Sequence, residues 1–155
     1  MRSTSLTLGL VLLTVPATLA NAADYLPVQH VIDGDTIVVA RVGRVRLLGI
    51  DAPELGLGFD TAGPFAPEAR DHLASLLVGR YIRLELEGPQ TDRYGRQLAY
   101  VIRDDGAFIN AEMLRAGLAR VSARRHLRRL SELQAAERAA RVSRRGMWGT
   151  GPPLR

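Results

Sequence analysis

The 155-residue chain contains no cysteine and no lysine. The absence of cysteine removes disulfides, thiol nucleophiles and thiolate metal sites, so stability must come from an apolar core and, at most, a bound metal. Three histidines, His30, His72 and His126, share no spacing, which argues against a His-ligated zinc centre or a His-based catalytic site. There is no Ser nucleophile motif, no Gly-rich phosphate loop and no EF-hand spacing. Long apolar runs are missing too. The one extended stretch, Leu6–Val15, is shorter than the about 20 residues a membrane span needs. With Arg2 before it and Ala20-Asn21-Ala22 after it, residues 1–22 read as a signal peptide cleaved after Ala22, the alternative being an uncleaved anchor. The expectation is an exported protein, periplasmic or secreted, with no stable membrane association once the leader is gone. Residues 23–150 would form one domain and residues 151–155 a frayed tail.

What is present in place of lysine is arginine. All 21 basic residues are Arg, against 16 acids, giving +5; loss of Arg2 with the leader leaves +4. Guanidinium forks match phosphate oxygens. Most of the replacement is nevertheless read as a compositional bias running through the whole chain. Basic charge says only that a polyanion is not repelled.

Strands are expected at Val28–Asp33, Thr36–Arg41, Val45–Ile50, Tyr81–Leu86 and Gln97–Ile102, where Val, Ile and Leu concentrate. Asp33-Gly34 signals a turn and Gly43 a bend. Leu55–Pro64 reads as a surface loop. Pro67 opens a helix that ends at Gly79, with Leu73, Leu76 and Leu77 on one stripe. Asn110 is placed as the cap of a short helix reaching Ala116. A last helix over Leu127–Arg145 puts Leu130, Leu133, Ala136 and Ala140 on one side, with Trp148 packing back. The fold class is therefore α+β, mainly β with helices: a five-stranded Greek-key barrel of the OB type with about three helices.

Two segments carry the chemistry. One runs Val31-Ile-Asp-Gly-Asp-Thr-Ile-Val and on to Arg46-Leu-Leu-Gly-Ile-Asp-Ala-Pro-Glu54. The other is Thr91-Asp-Arg-Tyr-Gly-Arg96-Gln-Leu-Ala-Tyr100. Asp35 and Asp51 stand at adjoining strand ends, where two carboxylates can converge on a hard cation, Ca2+ above all. Glu54, stiffened by Pro53, can take a proton from water. Arg46 and Arg96 can hold a phosphate and stabilise the charge that builds on it. Each residue alone has an ordinary reading as a turn, loop or surface residue. The set together is what hydrolysis of a phosphodiester requires. The run Arg124, Arg125, Arg128, Arg129 is read as a solvated face, with contact to a nucleic-acid backbone as the lesser reading.

At these residues the chain resembles the staphylococcal nuclease (thermonuclease) family, over about His30 to Trp148. The specific matches are Asp33-Gly-Asp-Thr36, Arg46-Leu-Leu-Gly-Ile-Asp51-Ala-Pro-Glu54 and Thr91-Asp-Arg-Tyr-Gly-Arg96. The resemblance implies an OB-fold barrel with three helices and a Ca2+-dependent nuclease acting on DNA and RNA; nothing in the sequence demands a dimer, and a monomer is expected. It implies Asp35, Asp51 and the main-chain carbonyl of Ala52 as calcium ligands, and Glu54 as general base or water-orienting group. Arg46 and Arg96 would bind the scissile phosphate, with Arg93 and Tyr94 as substrate-binding residues. Water would displace the 5′-oxygen and leave 3′-phosphate ends. The chain departs from the family's type member in having Ala52 in place of Thr and no basic residue in Leu55–Pro64. Ala123 and Arg125 stand where two Tyr pack around the nucleotide. A nucleic-acid-binding OB domain without activity is the alternative, and a structural domain of the cell envelope a third.

Overall fold

Alternation along the strands places Val28, Ile37, Val39, Val45, Leu47, Ile82, Ala99 and Val101 inside, each less than a tenth exposed, and the sheet closes around them. The computed structural model describes residues 25–56 and 62–149. The element order is β1 (Leu26–Asp33), β2 (Thr36–Val39), β3 (Gly43–Leu47), β4 (Ile50–Asp51), α1 (Ala66–Leu77), β5 (Tyr81–Thr91), β6 (Gln97–Arg103), α2 (Ile109–Arg115), β7 (Arg120–Val121) and α3 (Leu130–Val142). A 3-10 turn follows over Gly146–Trp148. The barrel closes in the order β1-β2-β3-β6-β5, with β3 and β6 parallel and the other pairs antiparallel. It is the expected OB-type barrel dressed with three helices.

The helices complete the core. Leu73 and Leu77 of α1, Ile109, Met113 and Leu114 of α2, and Leu133 of α3 are fully buried. Each such side chain removed from water contributes roughly 1.5–3 kcal/mol. Pro67 lies in the first turn of α1, and Gly79 follows its end at φ +75, as its sequence position implies. Among the described residues no helix is long and apolar enough to cross a membrane. The expected leader, the expected tail and residues 57–61 of the expected loop lie outside the described residues.

Several local expectations are corrected. Val45–Ile50 is not one strand: β3 stops at Leu47, and Gly49 at φ +82 turns the chain so that Ile50 and Asp51 pair instead with Val121 and Arg120. A Cβ at Gly49 would stand 2.6 Å from Leu133 Cδ1 and 3.0 Å from Leu127 Cδ1, so this turn is also where α3 closes on the barrel. Asn110 does not cap α2. The helix starts one residue earlier, and Asn110 is wholly buried. Its Oδ1 accepts the Val101 N–H at 2.9 Å and its Nδ2 donates to the Leu48 carbonyl at 2.9 Å, so it ties β6 to the β3–β4 turn. A core amide with both ends satisfied is stable where an unpaired one is costly. Helix α3 begins at Leu130, three residues after the expected start, because Leu127 is drawn into the core ahead of it. Trp148 does pack back, with the Arg141 guanidinium carbon 3.7 Å from its ring centroid.

Candidate active site

Asp33 pairs with Thr36 across the β1–β2 turn, leaving Gly34 and Asp35 at its apex. The apex is crowded: a Cβ on Gly34 would lie 2.6 Å from Ala69 Cβ of α1 and 2.7 Å from Ala52 Cβ. Glycine therefore lets α1 and the strand end at residue 52 close against the turn, and that approach makes the site. Asp35, 2% exposed, accepts the Ala52 N–H on Oδ2 at 3.1 Å. Its Oδ1 accepts the Thr36 hydroxyl at 2.9 Å and Arg46 Nη1 at 2.6 Å. Burial raises the Asp35 carboxyl to about 6, although Arg46 and the Ala52 N–H pull it down.

Arg46 lies opposite Thr36 in the β2–β3 register. Its other nitrogen, Nη2, donates to Asp51 Oδ1 at 2.5 Å. One guanidinium thus spans the two carboxylates. The Asp35 arm is buried and the Asp51 arm, with that side chain 59% exposed, is open to solvent. Glu54 follows Pro53 in the same strand-exit segment. Its carboxylate is exposed and has no hydrogen-bond partner among the described residues. Its carbonyl accepts the Gly63 N–H at 2.9 Å, which closes the base of the loop between them.

The second segment forms the β5–β6 turn. Asp92 Oδ1 accepts the N–H groups of Tyr94 at 2.9 Å and Arg96 at 3.0 Å, while Oδ2 accepts Arg96 Nε at 2.8 Å. Burial would raise Asp92, but these hydrogen bonds outweigh it and hold the carboxyl below its ordinary value. Gly95 supplies the positive φ (+73) that the turn needs. Arg96 Nη1 then reaches Thr36 Oγ1 at 3.4 Å, so the two motifs meet across 60 residues of sequence. The guanidinium carbons of Arg93 and Arg96 lie 4.7 and 5.3 Å from the Tyr94 ring centroid.

Arg46, Asp51, Glu54, Arg93, Tyr94 and Arg96 line one groove of about 520 Å³. Asp35 lies beneath it, joined through Arg46. Ala52 lines a neighbouring pocket of about 370 Å³, which Asp51 shares. The donor types suit a hard cation: two carboxylates on one guanidinium, and the Ala52 carbonyl, on which no hydrogen bond among the described residues ends. They do not amount to a complete protein cage, since no group of three or more His, Asp or Glu gathers among the described residues. A cation here would draw most of its ligands from water and substrate.

Two features escaped the sequence reading. Asp92, quoted within the second motif, has no role there, yet it builds the turn that carries Arg96; the available signal was an Asp two and four residues ahead of the N–H groups it caps. The basic run also divides. Arg129 turns toward Glu85, Glu132 and the ring of Phe108 at 3.7 Å, and Arg128, still largely exposed, also leans to Glu85. Arg124 and Arg125 line the groove.

The family described as staphylococcal nuclease homologue matches residues 44–150. The chain is 35% identical over 133 residues to the thermonuclease of Staphylococcus hyicus, covering 83% of this chain and 78% of that one. It is 40% identical over 96 residues to the thermonuclease of Staphylococcus intermedius, covering 60% and 56%. A protein of Escherichia coli O157:H7, named an uncharacterized endonuclease, is 34% identical over 130 residues, covering 82% and 78%. With a family match across more than half its length and its catalytic-type residues converging in one groove, the chain belongs to the staphylococcal nuclease family.

Proposed function

We propose that this chain, a hydrolase of the nuclease type, is an exported, Ca2+-dependent enzyme that cleaves DNA and RNA without regard to the sugar. In this reading it acts as a monomer and leaves 3′-phosphate ends. The observation that carries it is the single Arg46 guanidinium held by Asp35 and Asp51, with Arg96 brought to the same place through Thr36. Export rests on the leader pattern of residues 1–22.

The geometry supports the following roles. Arg46 and Arg96 are both held by carboxylates on one side, so their remaining N–H groups are preorganised toward the groove. There they grip the non-bridging oxygens of the scissile phosphate and stabilise the negative charge that rises at phosphorus. Glu54, exposed at the groove and without a partner among the described residues, accepts a proton from the attacking water. The water oxygen bonds to phosphorus, the bond from phosphorus to the 5′-oxygen breaks, and that oxygen leaves with a proton from solvent. A Ca2+ bound by Asp35, Asp51 and the Ala52 carbonyl would supply further charge neutralisation at the phosphate. Tyr94 and Arg93 hold the substrate beside Arg96.

The test is digestion of single-stranded DNA by the purified protein with Ca2+, with Mg2+ and with a chelator, followed by end-group analysis. Cleavage that needs Ca2+ and yields 3′-phosphates is expected. A folded protein that binds DNA and never cuts it would replace this reading with that of a binding module. Asp35→Ala should raise the Ca2+ needed for half activity; an unshifted titration would remove Asp35 from the ligand set.

A further inference from the structure

The segment after β7 forms part of the groove wall. Ser122, Ala123, Arg124 and Arg125 line the same space as Arg93 and Tyr94. Arg46 and Arg96 spend part of their charge on Asp35, Asp51 and Asp92. Arg93, Arg124 and Arg125 do not: none of the ion pairs among the described residues engages them. Among the described residues the groove thus holds three guanidiniums outside any ion pair, of which Arg125 stands near enough to the Glu87 carboxylate to feel its charge.

Arg125 is also held in place. Its Nη2 donates to the carbonyl of Glu87 at 2.6 Å. Its guanidinium lies against Gly88, where φ is +72 and any Cβ would overlap it. The Glu87 carboxylate is taken by the Tyr100 hydroxyl at 2.7 Å and the Arg128 N–H at 2.9 Å. Arg125 is therefore fixed by a neutral acceptor, and a guanidinium has five N–H donors in all, so most remain free. Aromatic surface is scarce by contrast. Tyr94 is the one aromatic lining the groove among the described residues, and two guanidiniums already attend its ring.

We propose that the Ala123–Arg125 wall seats a second backbone phosphate of a single-stranded polynucleotide, so that the groove reads charge along the strand and not the bases. The proposal rests on the nuclease reading for the position of the first phosphate. Arg124 and Arg125 are assigned as phosphate-binding residues, and Ala123 as the space that lets the strand approach them. An aromatic wall would add base stacking, which accepts every base with modest preferences set by stacking strength and whose own share of the affinity is not ionic. A guanidinium wall makes binding steep in salt and indifferent to base.

The experiment is fluorescence anisotropy of labelled oligo-dT, oligo-dA and oligo-dC with the full protein in chelator, so that nothing is cut, across a series of salt concentrations. Arg124→Ala and Arg125→Gln are each expected to shallow the slope of log K against log salt, and together by about 0.7, the share of one phosphate on a single strand. The three oligonucleotides should lose equally. Arg125→Gln retains a donor for the Glu87 carbonyl, and thermal melting checks its fold. Arg138→Gln, on the exposed face of α3, should leave the slope unchanged. Unshifted slopes for Arg124→Ala and Arg125→Gln overturn the proposal. So does a loss that depends on the base, or an equal shift for Arg138→Gln. Cutting of DNA by the unmodified protein with Ca2+ is scored separately. Shifted slopes without cutting support the groove wall and sink the nuclease reading. Cutting with unshifted slopes does the reverse.

Discussion

Arg46 donates Nη1–H to Oδ1 of Asp35 at 2.6 Å, from a partly open side chain to a carboxylate that is almost wholly buried. The pair joins β3 to the β1–β2 turn and supplies the charge that makes burial of Asp35 tolerable. Removing one partner of such a pair leaves the other buried and uncompensated. In chelator, Arg46→Met, which keeps much of the stem, is expected to lower unfolding free energy by about 3 kcal/mol. Asp35→Asn in the same protein should recover most of the loss. Denaturant midpoints of the two single variants and the double variant measure the coupling; additivity would mean that the pair contributes nothing of its own.

Glu54 stands at the groove with a carboxylate that meets no partner among the described residues and a backbone that anchors Gly63. Glu54→Gln keeps that backbone and the side-chain shape. The expected result is an unchanged melting temperature with turnover reduced by about 10²–10⁴-fold, the range of a lost general base. Unchanged turnover would assign the proton transfer elsewhere.

Arg96 is the residue proposed to act on the phosphate, and Asp92 holds it by its backbone N–H and its Nε. Arg96→Ala is expected to lower kcat more than it raises KM, because its main contact forms in the transition state. Asp92→Asn retains acceptor capacity for the turn but loses the charge that fixes Nε, and should show a smaller fall in kcat of the same kind. An effect of either substitution confined to KM would make Arg96 a ground-state binder.

Gly34 is the close-contact point of the site. Gly34→Ala puts a methyl group 2.6 Å from Ala69 Cβ and 2.7 Å from Ala52 Cβ, and neither neighbour is a flexible side chain that can swing away. Overpacking of this kind costs about 1–3 kcal/mol. Because the displaced group includes Ala52, whose N–H meets Asp35, activity at fixed Ca2+ should fall beyond what the loss of stability explains. Full activity in the surviving folded fraction would show that the turn tolerates displacement.

Glu87, whose carbonyl holds Arg125 of the groove wall, carries a pH dependence. Its carboxyl is held below its ordinary 4.5 by the Tyr100 hydroxyl first, with Arg128 and Arg125 assisting. A carboxyl depressed in the folded state contributes stability above its unfolded pKa and loses it as pH falls through the folded one. Glu87→Gln is therefore expected to be less stable than the unmodified protein at neutral pH. The gap should close as acid is added below about 4.5, the unfolded reference. Melting temperatures of both proteins across the acid range test this; a constant gap would leave the ionic part of the network without weight.

The barrel and the candidate site were legible to different depths, for identifiable reasons. Strands at Thr36–Val39, Gln97–Arg103 and the start of β5 follow from local runs of apolar and β-branched residues, a property of neighbours in the chain. Residues of the two motifs could be nominated because their chemical types suit one reaction and stand at short spacing. Gly49, Asn110 and the start of α3 were misjudged, because each answers to distant partners: Gly49 to Leu133, Asn110 to Leu48 and Val101, and Leu127 to the core. Asp92 was passed over because its task is to shape a turn.

By itself the chain determined that the domain would do without disulfides, that its cations would all be guanidiniums, and that acids and arginines would be carried on strand ends and a Gly-containing turn. Those are properties of composition and of local backbone preference. Only the tertiary structure decided that Arg46 would be shared between Asp35 and Asp51, and that Arg96 would reach Thr36 across the barrel. It alone split the arginine run into a pair that packs on Tyr100 and Phe108 and a pair that faces the groove. The reason is that barrel closure and the approach of α1 and α3 set which charges come within reach. Coulombic and hydrogen-bond energies depend on that distance and on the surrounding burial, and neither is written in the spacing of residues along a chain.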